Sequence, residues 1–218
     1  MTSVTSMTTR PLAVPGAWAF DPVHHRDPRG RLVVWYDEQA LAAATGHPLR
    51  LGQTNHAVSR KDTLRGVHLT RLPPGQGKYV YCPRGSALDV VVDLRPGSPT
   101  FGLWDALLLS ESNCRAVYIS EGLGHAYWAY EDDTTIVYLC SERYDADKEV
   151  AVHPLDPALA LPWPEGRSPV LSERDARAPS LGEAERADLL PGFAACLEHY
   201  ARLRTDAASS GSPSARLA

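Results

Sequence analysis

An arginine and a histidine close together, followed by a lysine, are the residues of this chain best suited to acid–base chemistry. Arg65 and His68 lie in the apolar run Leu64-Arg-Gly-Val-His68, and Lys78 follows in Gln76-Gly-Lys78. A histidine can accept a proton near neutral pH, and a cation can stabilise the negative charge that proton removal leaves behind. An unpaired guanidinium is costly in an apolar context, which indicates an anionic partner or ligand for Arg65. The stretch therefore predicts proton abstraction next to a carbonyl group, provided that other segments complete the site.

Three further side chains could join this chemistry, although each also has an ordinary structural explanation, as has His68 itself. His125 follows two glycines that can present its ring to a cavity, but it could equally be a structural histidine. Tyr138 ends the strand-like run 134–138, where a packed tyrosine with a satisfied hydroxyl is the common case. Asp175 could simply cap a helix.

The sequence has no pattern typical of a metal or cofactor site. Metal enzymes built on antiparallel barrels commonly supply a His-x-His pair, but Gly66 and Thr70 flank His68 at the two positions where the second histidine would stand. The four cysteines form no Cys-x-x-Cys pair, and no Gly-x-Gly-x-x-Gly fingerprint of dinucleotide binding occurs. We therefore expect a site with no metal and no cofactor.

The bulk composition is that of an ordinary globular protein. The 218 residues suffice for one domain with a substantial core or for two small ones, with 44% hydrophobic and 22% charged residues. A net charge of -4 argues against nucleic-acid binding, and no apolar run is long enough for a membrane span or a signal peptide. We expect a cytoplasmic protein with reduced thiols, of which Cys82 and Cys140 would be buried.

Strand signals separated by turn signals dominate the middle of the chain. Runs rich in β-branched and aromatic residues predict strands over 31–36, 77–82, 87–94, 104–109, 115–119 and 134–140. In the run 87–94, alternation places Asp89 and Asp93 on one face and apolar residues on the other. Short, closely spaced strands with Gly/Pro turns indicate an all-β sandwich or barrel.

Helical patterns occur early in the chain and at its end. Residues 38–45 form one predicted helix, and residues 181–203 form another that Pro191-Gly192 divides into two pieces. Ser180 and Glu183 have the spacing of a capping box. Residues 1–10 and 206–218 are predicted to be disordered. This leaves a single domain over 11–205, with C-terminal helices at about 180–204.

Eight short segments follow one another along the chain: Asp27-Pro-Arg-Gly30, Gln53-Thr-Asn-His56, Leu64-Arg-Gly-Val-His68, Gln76-Gly-Lys78, Asp89-Val-Val-Val-Asp-Leu-Arg95, Gly97-Ser-Pro-Thr-Phe-Gly102, Gly122-Leu-Gly-His125 and Leu159-Ala-Leu-Pro-Trp163. Taken in this order, they resemble the family of dTDP-4-dehydrorhamnose 3,5-epimerases and its relatives in antibiotic deoxysugar pathways. Each is weak alone, but eight in family order over residues 12–180 are strong evidence.

The resemblance implies an all-β, cupin-type jelly roll, or double-stranded β-helix, with a few short peripheral helices. It implies a homodimer in which an N-terminal strand crosses to the partner's sheet. It also implies a metal-independent epimerase that acts on a dTDP-4-keto-6-deoxyhexose through an enolate, in rhamnose-like or antibiotic sugar biosynthesis.

The resemblance further implies roles for individual residues. His68 corresponds to the catalytic base, Asp175 to the carboxylate that orients it, Tyr138 to the acid on the opposite face, and Lys78 to the residue near the 4-keto oxygen. Substrate contacts are implied for Arg65, His125, Gln53, Asn55 and Arg174, a diphosphate contact from the partner subunit for Arg29, and base stacking for Tyr144 and His25.

The chain departs from the common family pattern at three places. Leu69 and Thr70 follow the base histidine, where an aromatic residue and glutamine are common. The chain has Gly122-Leu-Gly-His-Ala-Tyr127 where many members have Gly-Phe-Ala-His-Gly-Phe. Close to the Asp-x-Arg-Gly motif, His25 occupies the position of an aromatic residue. These departures indicate the antibiotic-sugar branch and leave open which sugar is used and whether C3, C5 or both are inverted.

Two alternatives to a 3,5-epimerase stay open at this point. One is a mono-epimerase that acts at C3 or C5 only, on a deoxy or amino sugar. The other is a cupin that binds a nucleotide sugar without catalysis. A metal-dependent cupin fits least, since no His-x-His pair occurs.

Overall fold

Two antiparallel sheets packed face to face form the body of the protein. The computed structural model describes residues 7–210, and the bounds that follow refer to these residues. The strands are β1 (Met7–Pro11), β2 (Ala17–Pro22), β3 (His25–Asp27), β4 (Gly30–Leu32), β5 (Gln53–Ser59), β6 (Leu64–Thr70), β7 (Lys78–Arg84), β8 (Ser86–Asp93), β9 (Trp104–Ser110), β10 (Ala116–Ile119), β11 (Leu123–Ala129), β12 (Thr134–Cys140) and β13 (Glu149–Ala151). The helices are α1 (Glu38–Thr45), α2 (Glu173–Ala176), α3 (Leu181–Arg186) and α4 (Phe193–Ser210).

The strand order shows that the chain crosses repeatedly between the two sheets. One sheet has six strands in the order β1-β2-β10-β7-β12-β5, and the other has five in the order β13-β6-β11-β8-β9. The strands β3 and β4 form a separate exposed hairpin. The predicted all-β sandwich is therefore confirmed.

The five-stranded sheet is covered on both faces, which explains the nearly unbroken apolar run in β8. Val91 belongs to the core between the two sheets, whereas Val90 and Val92 pack under α3 and the loop before it. A strand buried on both sides cannot show the simple alternation of a half-exposed one.

A buried ion pair ties both ends of the chain to this sheet. Arg95 donates from Nε and Nη2 to the Asp93 carboxylate at 2.8 and 2.7 Å, from Nη2 to the Pro15 carbonyl and from Nη1 to the Tyr200 hydroxyl in α4. Burial opposes ionisation of Asp93, but hydrogen bonds from Arg95, Ser98 and a neighbouring threonine hold its pKa below the usual value. The pair thus anchors α4, whose role the sequence leaves open, against the sandwich.

The predicted helix boundaries are confirmed except at the C-terminal end, where α4 runs to Ser210 and not to 203. Helix α1 ends at Gly46, which has φ of 86°, and α3 begins with the Ser180–Glu183 capping box. The chain breaks after α3 and resumes as α4, as Pro191-Gly192 predicts. All four cysteines are free and buried.

The predicted disorder is wrong for part of each end of the chain. Residues 7–10 are not disordered, because they pair with β2 in β1 and Met7 is buried against Phe20 and Leu41. Residues 206–210 continue α4. The rest of the predicted disordered termini, residues 1–6 and 211–218, lies outside the described residues. Within residues 7–210, no helix is long and apolar enough to cross a membrane.

Replacement of Arg95 by alanine is expected to lower the free energy of unfolding by about 3–5 kcal/mol, because it leaves the Asp93 carboxylate buried without its counter-ion. The matched control is Arg84→Ala, which breaks a pair with Asp133 whose side chains are 66% and 60% exposed. Exposed pairs contribute about 0–1 kcal/mol. Urea denaturation measures the free energy of unfolding of both variants. Equal decreases in the two variants would contradict the larger contribution assigned to the buried pair.

Candidate active site

A cavity of about 250 Å³ opens between the inner faces of the two sheets. Both sheets contribute polar side chains to it, a residue pattern suited to chemistry on two faces of one ligand. The residues that line it are Asn55, His56, Ala57, Lys78, Tyr138 and Cys140 from the six-stranded sheet, Arg65, His68, His125, Tyr127 and Glu149 from the five-stranded sheet, and Gln76 and Tyr144 from loops.

A bulge in β6 brings Arg65 and His68 into the same cavity. On a regular strand, residues separated by three positions point to opposite faces. Here His68 lies opposite His125 of β11, and Arg65 lies opposite Tyr127, so β6 carries one more residue than its partner over this interval. The extra residue restores the two side chains to one face.

Glycine at position 66 makes this bulge possible. Gly66 has φ of 124°, which side chains rarely adopt, and a Cβ at this position would lie 2.4 Å from the Ala126 Cβ. The glycine noted between Arg65 and His68 in the sequence is therefore a geometric requirement of the site.

His68 is held by a buried carboxylate. Its Nε2 lies 2.6 Å from Asp175 Oδ1, and the Asp175 side chain is 4% exposed. Burial opposes ionisation of Asp175, but hydrogen bonding to His68 and Ser172 keeps its pKa below the usual value. With Nε2 engaged by the carboxylate, Nδ1 is the nitrogen that can accept a proton. The alternative reading of Asp175 as a helix cap is wrong, because Ser172 caps α2 and accepts from the Asp175 amide.

A second histidine–carboxylate pair lies deeper in the cavity. His125 Nε2 is 2.7 Å from Asp89 Oδ2, and both side chains are almost fully buried. The sequence singled out His125 but did not connect it with Asp89, although a carboxylate in the apolar strand β8 is itself a signal that a partner is required.

The six-stranded sheet places a cation and a phenol opposite these histidines. Lys78 in β7 pairs with Cys140 of β12, and Tyr138 lies on the same face of β12 as Cys140. Burial raises the pKa of Tyr138 well above the usual value, and Tyr127 and Asp89 raise it further. Tyr138 therefore holds its proton at neutral pH.

Four of the remaining predicted contacts, Gln53, Asn55, Tyr144 and Arg174, lie in the cavity or beside it. Gln53 donates to Asn55 Oδ1 at 2.7 Å and accepts from the Tyr144 amide at 3.1 Å, so it braces two lining residues. Arg174 lies 4.0 Å from Glu149 and precedes Asp175. Glu149, which accepts a hydrogen bond from Thr70 at 2.8 Å, is a lining residue that sequence reasoning missed.

The structure does not bring His25 and Arg29 to the cavity of their own chain. Both lie on the exposed β3–β4 hairpin, where Arg29 pairs with Asp27 at 2.6 Å and is 91% exposed. The prediction that Arg29 serves the partner subunit stays a prediction. Within residues 7–210, no three His, Cys, Asp or Glu side chains are grouped so that they could hold a metal ion.

The fold and the cavity define a jelly-roll protein equipped to move protons on two faces of a ligand. A family model described as dTDP-4-dehydrorhamnose 3,5-epimerase matches residues 11–183. The chain is 47% identical over 203 residues to the dTDP-4-dehydrorhamnose 3,5-epimerase of Mycolicibacterium smegmatis, an alignment that covers 93% of this chain and all of the relative.

Solved structures give the same result. The RmlC epimerase of Mycobacterium tuberculosis superposes with a TM-score of 0.89 at 44% identity, covering 91% of this chain and 100% of that one. ChmJ, a 3'-monoepimerase from Streptomyces bikiniensis solved with dTDP-quinovose, superposes with a TM-score of 0.87 at 47% identity, covering 89% and 98%. The chain belongs to the dTDP-4-dehydrorhamnose 3,5-epimerase family. The predicted family and its cupin-type jelly roll are confirmed.

Replacement of Gly66 by alanine is expected to destabilise the protein by about 1–3 kcal/mol, the cost of a strained backbone conformation, plus a steric term from the contact with Ala126. The control is Gly30→Ala, because Gly30 has a similar φ of 136° but a Cβ there would meet no atom within 4 Å. Thermal and urea unfolding measure both. If Gly66→Ala lowers the free energy of unfolding by no more than Gly30→Ala does, the close packing of the bulge against Ala126 is contradicted.

The contribution of Asp175 to stability is expected to depend on pH. Its pKa is lowered in the folded protein relative to about 3.9 for a free aspartate, so its stabilising effect is present above about pH 5 and is lost as the pH falls below about 4. Urea unfolding of the wild type and Asp175→Asn between pH 3 and pH 7 tests this. The difference between the two proteins should shrink towards acid pH, and a constant difference would refute the assignment.

Proposed function

We propose that this protein is an epimerase that inverts C3, C5 or both of a dTDP-4-keto-6-deoxyhexose by deprotonation and reprotonation through an enolate. The observation that carries the proposal is the arrangement of the cavity. A histidine held by a carboxylate lies on one wall, and a protonated tyrosine lies on the other. The names of close relatives supply the substrate class.

The proposed reaction begins with His68. A 4-keto group acidifies the C–H bonds at C3 and C5, and Nδ1 of His68 removes one of these protons while Asp175 stabilises the resulting imidazolium. The electron pair of the broken C–H bond moves into the enolate, and the charge on O4 is stabilised by Lys78.

Tyr138 completes the inversion. Its hydroxyl gives a proton to the carbon from the opposite face, so that the C–H bond reforms with the other configuration. After one turnover His68 carries an additional proton and Tyr138 lacks one. Both groups must exchange protons with solvent before the next turnover.

We further propose a homodimer in which the β3–β4 hairpin serves the cavity of the neighbouring subunit. The exposure of His25 and Arg29 supports this, since a stacking ring and a guanidinium are suited to a nucleotide base and a diphosphate. Tyr144, 54% exposed, would stack on the base from the same chain. In its own chain, β1 is the edge strand of the six-stranded sheet, next to β2. If the two subunits exchanged their N-terminal strands, β1 would take this edge position in the partner's six-stranded sheet. A cytoplasmic location stays a prediction.

A mono-epimerase that acts at C3 is the second candidate. The chain is as similar to a 3'-monoepimerase as to a 3,5-epimerase, with 47% identity in both comparisons. The carbon that takes up deuterium from solvent distinguishes a C3 mono-epimerase from a 3,5-epimerase.

Incubation of the protein with dTDP-4-keto-6-deoxyglucose in D₂O is expected to introduce deuterium at C3, C5 or both, detected by NMR of the products. His68→Ala should reduce exchange by about 10²–10⁴-fold, the usual contribution of a general base. Tyr138→Phe should still exchange the proton on the face of the sugar next to His68, but it should no longer invert the carbon. His24→Ala, which does not line the cavity, is the control.

Two outcomes would overturn the proposal. Absence of deuterium at C3 and C5 in every 4-keto-6-deoxysugar tested would exclude an epimerase, and tight binding without exchange would instead indicate a non-catalytic nucleotide-sugar-binding protein. Full inversion by Tyr138→Phe would exclude Tyr138 as the acid.

A further inference from the structure

We propose that Glu121 is a positioning residue for Lys78 and that it acts through Ser141 and the backbone amide of Gly77. This inference rests on the proposed function, because it matters only if the Lys78 ammonium stabilises an enolate. It goes beyond that function in assigning a role to a buried carboxyl group that does not line the active-site cavity.

The backbone that leads into Lys78 is held by two hydrogen bonds to one serine. Lys78 is the first residue of β7, and residues 71–77, which precede it, form a loop. The Ser141 amide donates to the Gly77 carbonyl at 2.9 Å, and the Ser141 hydroxyl accepts from the Gly77 amide at 2.8 Å. These two bonds fix the orientation of the peptide unit from which the Lys78 side chain extends into the cavity.

The Ser141 hydroxyl is oriented by Glu121. A serine hydroxyl that accepts a hydrogen bond still has one proton to donate, and Glu121 Oε1 receives it at 3.4 Å from Ser141 Oγ. Donation towards this oxygen turns the lone pairs of the hydroxyl to the Gly77 amide. The carboxyl group also packs closely against the loop, because a Cβ at Gly77 would lie 2.9 Å from Glu121 Oε1. Glycine at position 77 therefore leaves the space that the carboxyl group occupies.

Helix α4 holds Glu121 in turn. The Tyr200 hydroxyl donates to the Glu121 carbonyl group and accepts from Arg95 Nη1. His199 Nε2 lies 3.8 Å from Glu121 Oε1, a distance that suits an ion pair but is too long for a hydrogen bond. The C-terminal helix is thus connected through Glu121 with the segment that carries Lys78.

Stability of the fold does not account for a carboxyl group at this position. The Glu121 side chain is 4% exposed, and its Oε2 has no hydrogen-bond partner among residues 7–210. An unsatisfied buried polar atom carries a desolvation penalty, which an apolar side chain of similar volume avoids. A residue that lowers stability and contacts the backbone next to Lys78 fits a role in positioning.

The test is Glu121→Met, measured as kcat and KM for epimerisation of dTDP-4-keto-6-deoxyglucose and as the midpoint of urea unfolding. Methionine has a similar volume but offers only a weak acceptor to Ser141. Because a shift of about 1 Å in a group at the reacting centre can cost about 10²-fold, we expect kcat to fall by about 10–100-fold. KM should change by less than about threefold, since the contacts to the nucleotide are not altered. The urea midpoint should stay the same or rise.

Three companion variants make the result interpretable. Glu121→Gln keeps an oxygen that can accept from Ser141, so its kcat should stay within about threefold of the wild type. Ser141→Ala removes the hydroxyl that holds the Gly77 amide and should lower kcat as Glu121→Met does. The control is Glu131→Met, because Glu131 also accepts from a serine hydroxyl, that of Ser86, but is exposed and lies outside the cavity. It should match the wild type in kcat and KM.

The possible outcomes separate the inference from the function on which it rests. A wild-type protein without epimerisation would refute the proposed function and the inference with it. An active wild type with an unchanged kcat in Glu121→Met would overturn the positioning role alone. A lower kcat together with a lower urea midpoint or a larger KM would also overturn it, because that result indicates a general structural role. Equal losses in Glu121→Gln and Glu121→Met would exclude the hydrogen bond through Ser141.

Discussion

Burial of polar side chains between apolar sheets is the constraint on which the rest of this structure depends. A histidine, arginine or carboxylate inside the sandwich costs free energy unless a partner meets it there. The pairs His68–Asp175, His125–Asp89 and Arg95–Asp93 satisfy this requirement. They also explain the peripheral elements: α2 carries the carboxylate that meets His68, and α4 carries a hydroxyl that meets Arg95.

The bulge in β6 is the second requirement, because without it the side chains of His68 and Arg65 would point to opposite faces of the sheet. A single glycine thus connects backbone geometry with the chemistry of the cavity. The same bulge sets the register in which Arg65 lies opposite Tyr127, so the placement of both His68 and Arg65 depends on one local irregularity.

Local signals in the sequence predicted much of the fold. The stop at Gly46, the capping box at Ser180, the break at Pro191-Gly192 and five of the six predicted strand runs depend on neighbouring residues and are confirmed. The strand predicted over 31–36 is wrong, because β4 ends at Leu32. The order of motifs also identified the family. Contacts between distant residues could not be predicted from local patterns: His68 and Asp175 are 107 positions apart, and only the resemblance linked them.

The errors have the same origin. The strand β1 has a polar composition and becomes ordered through its pairing with β2. The bulge was not predicted either, since alternation alone places Arg65 and His68 on opposite faces. The positions of Asp89, Tyr127 and Glu149 at the cavity follow from the packing of the sheets, so local sequence patterns could not predict them.

The two departures next to His68 differ in what they can do. Leu69 is fully buried in the core under α3, so its identity concerns packing. Thr70 holds Glu149, which lines the cavity, so it can influence the ligand through that carboxylate.

The spacing of the two sheets has a consequence for the shape of the reacting molecule. Stacked sheets lie about 10 Å apart, and side chains from both walls occupy part of that gap. A ring held between the walls is therefore confined along one direction while it remains free to extend along the other two. The carbons around an enolate are flat, so in the proposed reaction this confinement would favour the intermediate over either chair form of the sugar.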